Sequence, residues 1–183
     1  MAEWKKEVLQ LDEKHTWKAK PGYRIFVAYD GAIRFDVPQD WILDIAENSF
    51  KFYDRQPPDD DCTLEVSLIR HSRINWSGLP LAELLRSAAC DKPEETIRAE
   101  DVRLISRPDE EIAWAETAFI DRLQHRPARS RICLARGRNP HALFTFNFWL
   151  DDLTKLDPVW DEVLRSMELG IMLKDPRLGP VTM

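Results

Sequence analysis

Residues 32–41 read AIRFDVPQDW, the one local pattern in the chain that points to its fold. Ile33, Phe35 and Val37 alternate with Arg34 and Asp36, which makes the segment a strand with one apolar and one charged face. Pro38 has no N–H to give to a sheet ladder and ends the strand. Trp41, two polar residues further on, is placed to cap the edge of the core. Upstream, residues 23–29 (YRIFVAY) form a β-branched and aromatic run, and Asp30-Gly31 links the two runs as a hairpin turn. Pro21-Gly22 marks a turn before it.

The same period of two recurs along the chain. It predicts strands over 49–54 (SFKFYD), 63–70 (TLEVSLIR), 102–106, 112–121 (IAWAETAFID), 130–136 (SRICLAR) and 142–149 (ALFTFNFW). In the last of these Phe144, Phe146 and Phe148 share a face. The period shifts to helical spacing over 81–90, through Leu81, Leu84, Leu85 and Ala88, with Ser77 as a candidate cap and Pro80 in the first turn. A second helix is predicted to start at an Asp157 N-cap with Pro158 as its first residue. Its stripe is Val159, Trp160, Val163, Leu164 and Met167, and Gly170 is its predicted C-cap. Antiparallel strand runs with two separate amphipathic helices give an α+β class: a twisted antiparallel sheet with helices packed on its faces. We divide the chain into an N-terminal extension (1–22, with one short strand around 8–11), a single α+β domain (23–173) and a loosely ordered tail (174–183).

This element order, opened by AIRFDVPQDW and closed by the Trp-bearing helix DPVWDEVLRSM, resembles the Mog1/PsbP-like fold family from about Ala32 to Leu169, and within it uncharacterised bacterial cytosolic members. The resemblance implies an antiparallel α+β fold and binding to a protein partner rather than catalysis, because relatives such as PsbP proteins and the Ran-binding Mog1 act through protein partners. It carries over no individual site residue.

A net charge of −6 argues against general affinity for nucleic acid or for an anionic membrane. The chain has no run of 18 apolar residues and no apolar segment near its start, so neither a membrane span nor a secretory signal is read from it. Three cysteines, Cys62, Cys90 and Cys133, with no close pair, fit neither a disulfide framework nor a zinc motif and point to a reducing, cytoplasmic setting.

Six arginines and no acid fall in 122–138: Arg122, Arg126, Arg129, Arg131, Arg136 and Arg138. They form either a patch for an acidic partner or a set paired across the sheet with Glu116 and Asp121. His71, between Arg70 and Arg73 and near Trp76, is either an exposed loop histidine or one side of a pocket. Asp59, Asp60 and Asp61, with Asp54 nearby, lack the spacing of a calcium loop and read as a solvated acidic turn or a partner-binding one. Cys133 reads as a buried thiol, although Arg129 and Arg131 lie close enough to activate one. Trp4, Trp17 and Trp76 fall outside the periodic runs, and form either an exposed patch or a segment folded back on its own domain.

The sequence thus points to a non-enzymatic cytosolic binding or adaptor protein engaging a protein partner. The candidate contact residues are Arg126, Arg129, Arg131, Arg136, Arg138, His71 and Trp76. The alternative is a small-molecule binder or hydrolase with a pocket near His71 and Trp76. No catalytic set, metal or cofactor is assigned, nucleic acid is not expected as a partner, and a homodimer is left open.

Overall fold

The computed structural model describes residues 5–69, 78–89, 101–137, 140–171 and 173–180. The elements run β1 (Tyr23–Ala28), β2 (Ile33–Pro38), β3 (Ile42–Ile45), β4 (Ser49–Tyr53), β5 (Cys62–Ile69), α1 (Leu81–Ala89), β6 (Arg103–Arg107), β7 (Glu110–Ile120), β8 (Pro127–Arg136), β9 (His141–Trp149), α2 (Leu153–Ser166) and β10 (Glu168–Leu169). They form two antiparallel sheets rather than one. The larger has the order β3-β4-β5-β9-β8-β7-β6 and the smaller β1-β2-β10. The α+β class and the antiparallel pairing follow the sequence pattern; the second sheet does not.

The opening stretch shows why two sheets form. β1 and β2 pair from Tyr23↔Pro38 to Ala28↔Ile33 through a 3-10 turn at Tyr29–Gly31. Gly31 adopts φ +92°, and a Cβ there would stand 2.4 Å from the Ile171 carbonyl oxygen, so only glycine fits. Ile33, Phe35 and Val37 are fully buried against the large sheet, where Phe35 meets Phe52 and Phe144 edge-on. Arg34 and Asp36 are buried as well, so β2 is covered on both faces.

The inner face of the large sheet carries Leu64, Val66, Phe144, Phe146, Phe148, Cys133, Trp114 and Ile112, all buried. α2 lays Trp160 onto it, stacked on Phe146 at 5.8 Å and edge-on to Trp114 at 5.7 Å. α1 covers the outer face, with Leu81 and Leu85 packed on Ala113, Ala115 and Leu134.

Four expectations are corrected. β3 was not anticipated: Leu43 and Ile45 pack on the core, but four residues are too short a run for periodicity to separate from a loop. α2 starts at Leu153, not at an Asp157 cap, and Pro158 lies inside it. Leu156 falls four residues before Trp160 on the same face and is buried; packing an extra turn against the core outweighs the backbone bond that Pro158 cannot make. Gly170 does not cap the helix, which ends at Ser166 before an extended Met167. Arg107 takes the final carbonyls instead, donating to Leu164 O at 2.5 Å and Met167 O at 2.8 Å, while Gly170 (φ +73°) follows β10 and donates to Ala32 O. Residues 8–11 form no strand, and Val8 is exposed.

Among the described residues no helix is long and apolar enough to cross a membrane.

Candidate functional site

The arginine segment lies on β8, where the pleat sorts it by face. The ladder sets Arg129 opposite Phe148 and Arg131 opposite Phe146 on one side, and Arg131 opposite Glu116 on the other. Arg129 and Arg131 therefore point to the inner face. Arg131 donates from Nε to Glu116 Oε2 at 2.7 Å and from Nη2 to Asp157 on α2. Its guanidinium lies 5.0 Å from the Phe148 ring centre, 5.7 Å from Trp114 and 6.0 Å from Trp160. It is 5% exposed. Arg129 donates to the other oxygen of Glu116. Arg136 has the opposite parity; it donates to Leu79 O at 2.9 Å, just before α1, and to Glu111. Arg129, Arg131 and Arg136 thus hold elements together, with Glu116 as one of the strand neighbours foreseen as a partner. Arg126, just before β8, sits over the Trp149 ring at 4.9 Å and pairs with Asp151 at 3.0 Å. Arg138, His71 and Trp76 lie outside the described residues, as do Arg70, Arg73 and Cys90.

Beyond Arg126 the β7–β8 hairpin ends in a well-bonded tip. The Asp121 carboxylate accepts the N–H groups of Leu123 (2.9 Å) and Gln124 (2.7 Å), and the Asp121 N–H donates to Arg126 O. His125 takes φ +50° to complete the turn. This hydrogen-bonded tip displays Leu123, 90% exposed, and Ile120, 60% exposed. Sequence reasoning passed over both, although an apolar residue inside a polar turn was the available signal.

A second feature is a shallow cleft of about 390 Å³ beside Trp41, between β2 and the first turns of α2, walled by Tyr23, Pro38, Trp41, Lys155 and Val159. Asp54 at its rim is structural: its carboxylate accepts the Asp61 and Cys62 N–H groups. Asp60 accepts from Thr63, and Arg55 pairs with Asp61, so the acidic loop is knit to itself. Among the described residues no group of three His, Cys, Asp or Glu side chains is placed to hold a metal ion. Cys62 and Cys133 are buried, and burial pushes both thiols well above the ordinary thiol range.

A third feature, which the sequence did not disclose, is a buried ionic cluster where α2 meets β2. Arg34 Nη2 lies 2.7 Å from Asp36 Oδ1, and Arg34 also donates to Ser166 O. Ser166 Oγ accepts the Asp36 N–H at 2.7 Å, which satisfies β2 where β10 no longer reaches it. Burial raises the Asp36 carboxyl to about 6; Arg34 opposes the rise and Glu162 adds to it. Glu162 itself is held below the usual carboxylate range, chiefly by its hydrogen bonds from Arg165. Trp17 of the N-terminal segment closes the cluster, with the Arg34 guanidinium 5.3 Å from its ring. Trp17 is buried, so that tryptophan folds back on the body; Trp4 lies outside the described residues.

The uncharacterized protein alr1449 of Nostoc sp. (strain PCC 7120) is 45% identical to this chain over 178 residues, covering 97% of this chain and 93% of its own. The solution structure of cyanobacterial PsbP (CyanoP) from Synechocystis sp. PCC 6803 has a TM-score of 0.58 at 11% identity, over 83% of this chain and 95% of that one. The crystal structure of the Saccharomyces cerevisiae Ran-binding protein Mog1p has a TM-score of 0.51 at 11% identity, over 80% and 95%. At these identities the structures share the Mog1/PsbP-like fold. The profile of the Alr1449 family matches residues 24–173, from β1 to just past β10, and the chain belongs to the Alr1449 family.

Proposed function

We propose that this protein is a non-enzymatic cytosolic binding or adaptor protein, and that it engages a protein partner through the tip of the β7–β8 hairpin. The observation that carries this reading is the pairing of exposed apolar side chains with a closely hydrogen-bonded turn at the tip. Leu123 and Ile120 are exposed, yet the turn beneath them is fixed by the Asp121 carboxylate and the Asp121–Arg126 backbone bond. An apolar anchor that is already ordered loses little entropy on docking, and binding energy concentrates in such anchors. Arg126 and Trp149 beside it add the residue types enriched in interfaces. The partner surface that fits is an apolar pocket with an acidic rim. That a protein of the same fold is a Ran-binding protein supports protein recognition as the kind of function.

The test is capture from the native cytosol with wild type and Leu123→Asp, using a photo-crosslinking residue at position 120 to mark direct contacts. The expected result is a protein crosslinked at position 120 and recovered at least tenfold less by Leu123→Asp, whose melting temperature matches wild type. Recovery of the same proteins in the same yield by Leu123→Asp would overturn the proposal.

A further inference from the structure

Two side chains hold the N-terminal segment to the body. Of residues 5–20, His15 and Trp17 alone are buried. Trp17 packs on Arg34 over the ionic cluster, and His15 joins the segment to the C-terminal residues. The Trp17 N–H donates to His15 Nδ1 at 2.9 Å, and His15 Nε2 lies 3.1 Å from Pro176 O. Together these contacts admit one state of the ring. Nδ1 must be bare to accept, so the single proton of the neutral imidazole sits on Nε2 and is donated to Pro176 O. The ring is also pressed against Gly179, where a Cβ would lie 3.1 Å from it, and it sits 5.1 Å from the Trp17 ring centre.

The surrounding charges are already engaged with one another. Asp12 accepts the Lys14 N–H through its carboxylate, and its own N–H donates to Arg177 O. Arg177 is paired with Asp175. Arg34, beyond Trp17, is paired with Asp36 and lies 3.7 Å from Glu168. Among the described residues no carboxylate bonds to the imidazole, so none of them compensates a second ring proton.

We propose that residues 12–18 are a pH-operated strap, latched by neutral His15 and released when the ring takes a second proton. The proton enters at Nδ1 and turns the acceptor of the Trp17 N–H into a donor facing a donor. Holding the ring in place would then leave a buried N–H unsatisfied beside an uncompensated charge. Swinging the strap away returns both to water. Release moves Trp17 off β2 and uncovers the Arg34 guanidinium, whose Nε has no hydrogen-bond partner among the described residues in the latched state. The latch is therefore closed while the ring is neutral and opens when acidification adds the second proton.

The test is amide hydrogen exchange of the full chain between pH 7.5 and pH 5.5, corrected for the intrinsic pH dependence of exchange. Protection of the amides in 12–18 should fall at least tenfold, while β8 and β9 amides keep theirs. His15→Asn places a non-titrating oxygen where Nδ1 stands, so its exchange in 12–18 should show no pH step. The ¹⁵N shifts of the wild-type imidazole give a readout free of any substitution: ring protonation and loss of Trp17 protection should share one midpoint. The proposal is overturned if wild-type protection is flat, if the step survives in His15→Asn, if the two midpoints differ, or if β8 and β9 lose protection together with the strap.

Discussion

Arg131→Ala tests whether the arginine strand is architecture or contact surface. The substitution removes a guanidinium that is 5% exposed, bonded to Glu116 and Asp157 and ringed by Phe148, Trp114 and Trp160. Removing one partner of a buried ion pair costs about 3–5 kcal/mol. Two features pull the figure toward the low end. Glu116 keeps Arg129 as a partner, and the Asp157 side chain is half exposed and regains water. Loss of the arginine stem from between three rings pulls the other way. We expect about 3 kcal/mol, which for a chain of this size lowers the melting temperature by about 6–12 °C. Arg129→Ala, at a side chain 30% exposed, should cost only about 0.5–1 kcal/mol. The assay is urea unfolding followed by far-ultraviolet circular dichroism, with Glu116→Gln completing a double-mutant cycle. The cycle should give a coupling of about 1–2 kcal/mol between residues 116 and 131. A loss below about 1 kcal/mol for Arg131→Ala, no larger than for Arg129→Ala, would refute the view that Arg131 is part of the core.

Two further predictions concern β2 and its turn. Asp36 is raised from 3.8 to about 6 in the folded protein, so the native state binds its proton more tightly than the unfolded chain does. The stability from this group is fully present below about pH 3.8 and is lost as pH rises through about 6. Asp36→Asn should remove that slope, so that its stability relative to wild type improves by on the order of 2–3 kcal/mol between pH 4 and pH 7.5; urea midpoints that differ from wild type by a constant amount across this range would exclude the effect. Gly31→Ala should destabilise by about 2–4 kcal/mol, because it meets both an unfavourable φ and the Ile171 carbonyl; a thermal melt within 2 °C of wild type would show that the turn can shift at little cost.

Most strands and both helices are legible in the residues alone, because those choices rest on neighbours two, three or four residues away; the short β3 and β10 and the first turn of α2 are not. The alternation of Ile33, Phe35 and Val37, the Asp30-Gly31 turn and the Phe144–Phe148 face all appear in the structure as the residues alone imply. The resemblance drawn from AIRFDVPQDW and the closing helix also agrees with the family and the fold. What lies across from each residue is set by the assembled fold. Arg34 and Asp36 look like the solvent face of a strand until α2 and Trp17 cover them. Arg131 looks like part of a cationic patch until Glu116, Asp157 and three aromatic rings enclose it. Pro158 looks like a helix start until the core rewards Leu156 for one more turn. In each case the deciding partner is remote in the chain, and desolvation, which makes a buried charge costly and its partner necessary, is a property of the assembled structure rather than of the local pattern.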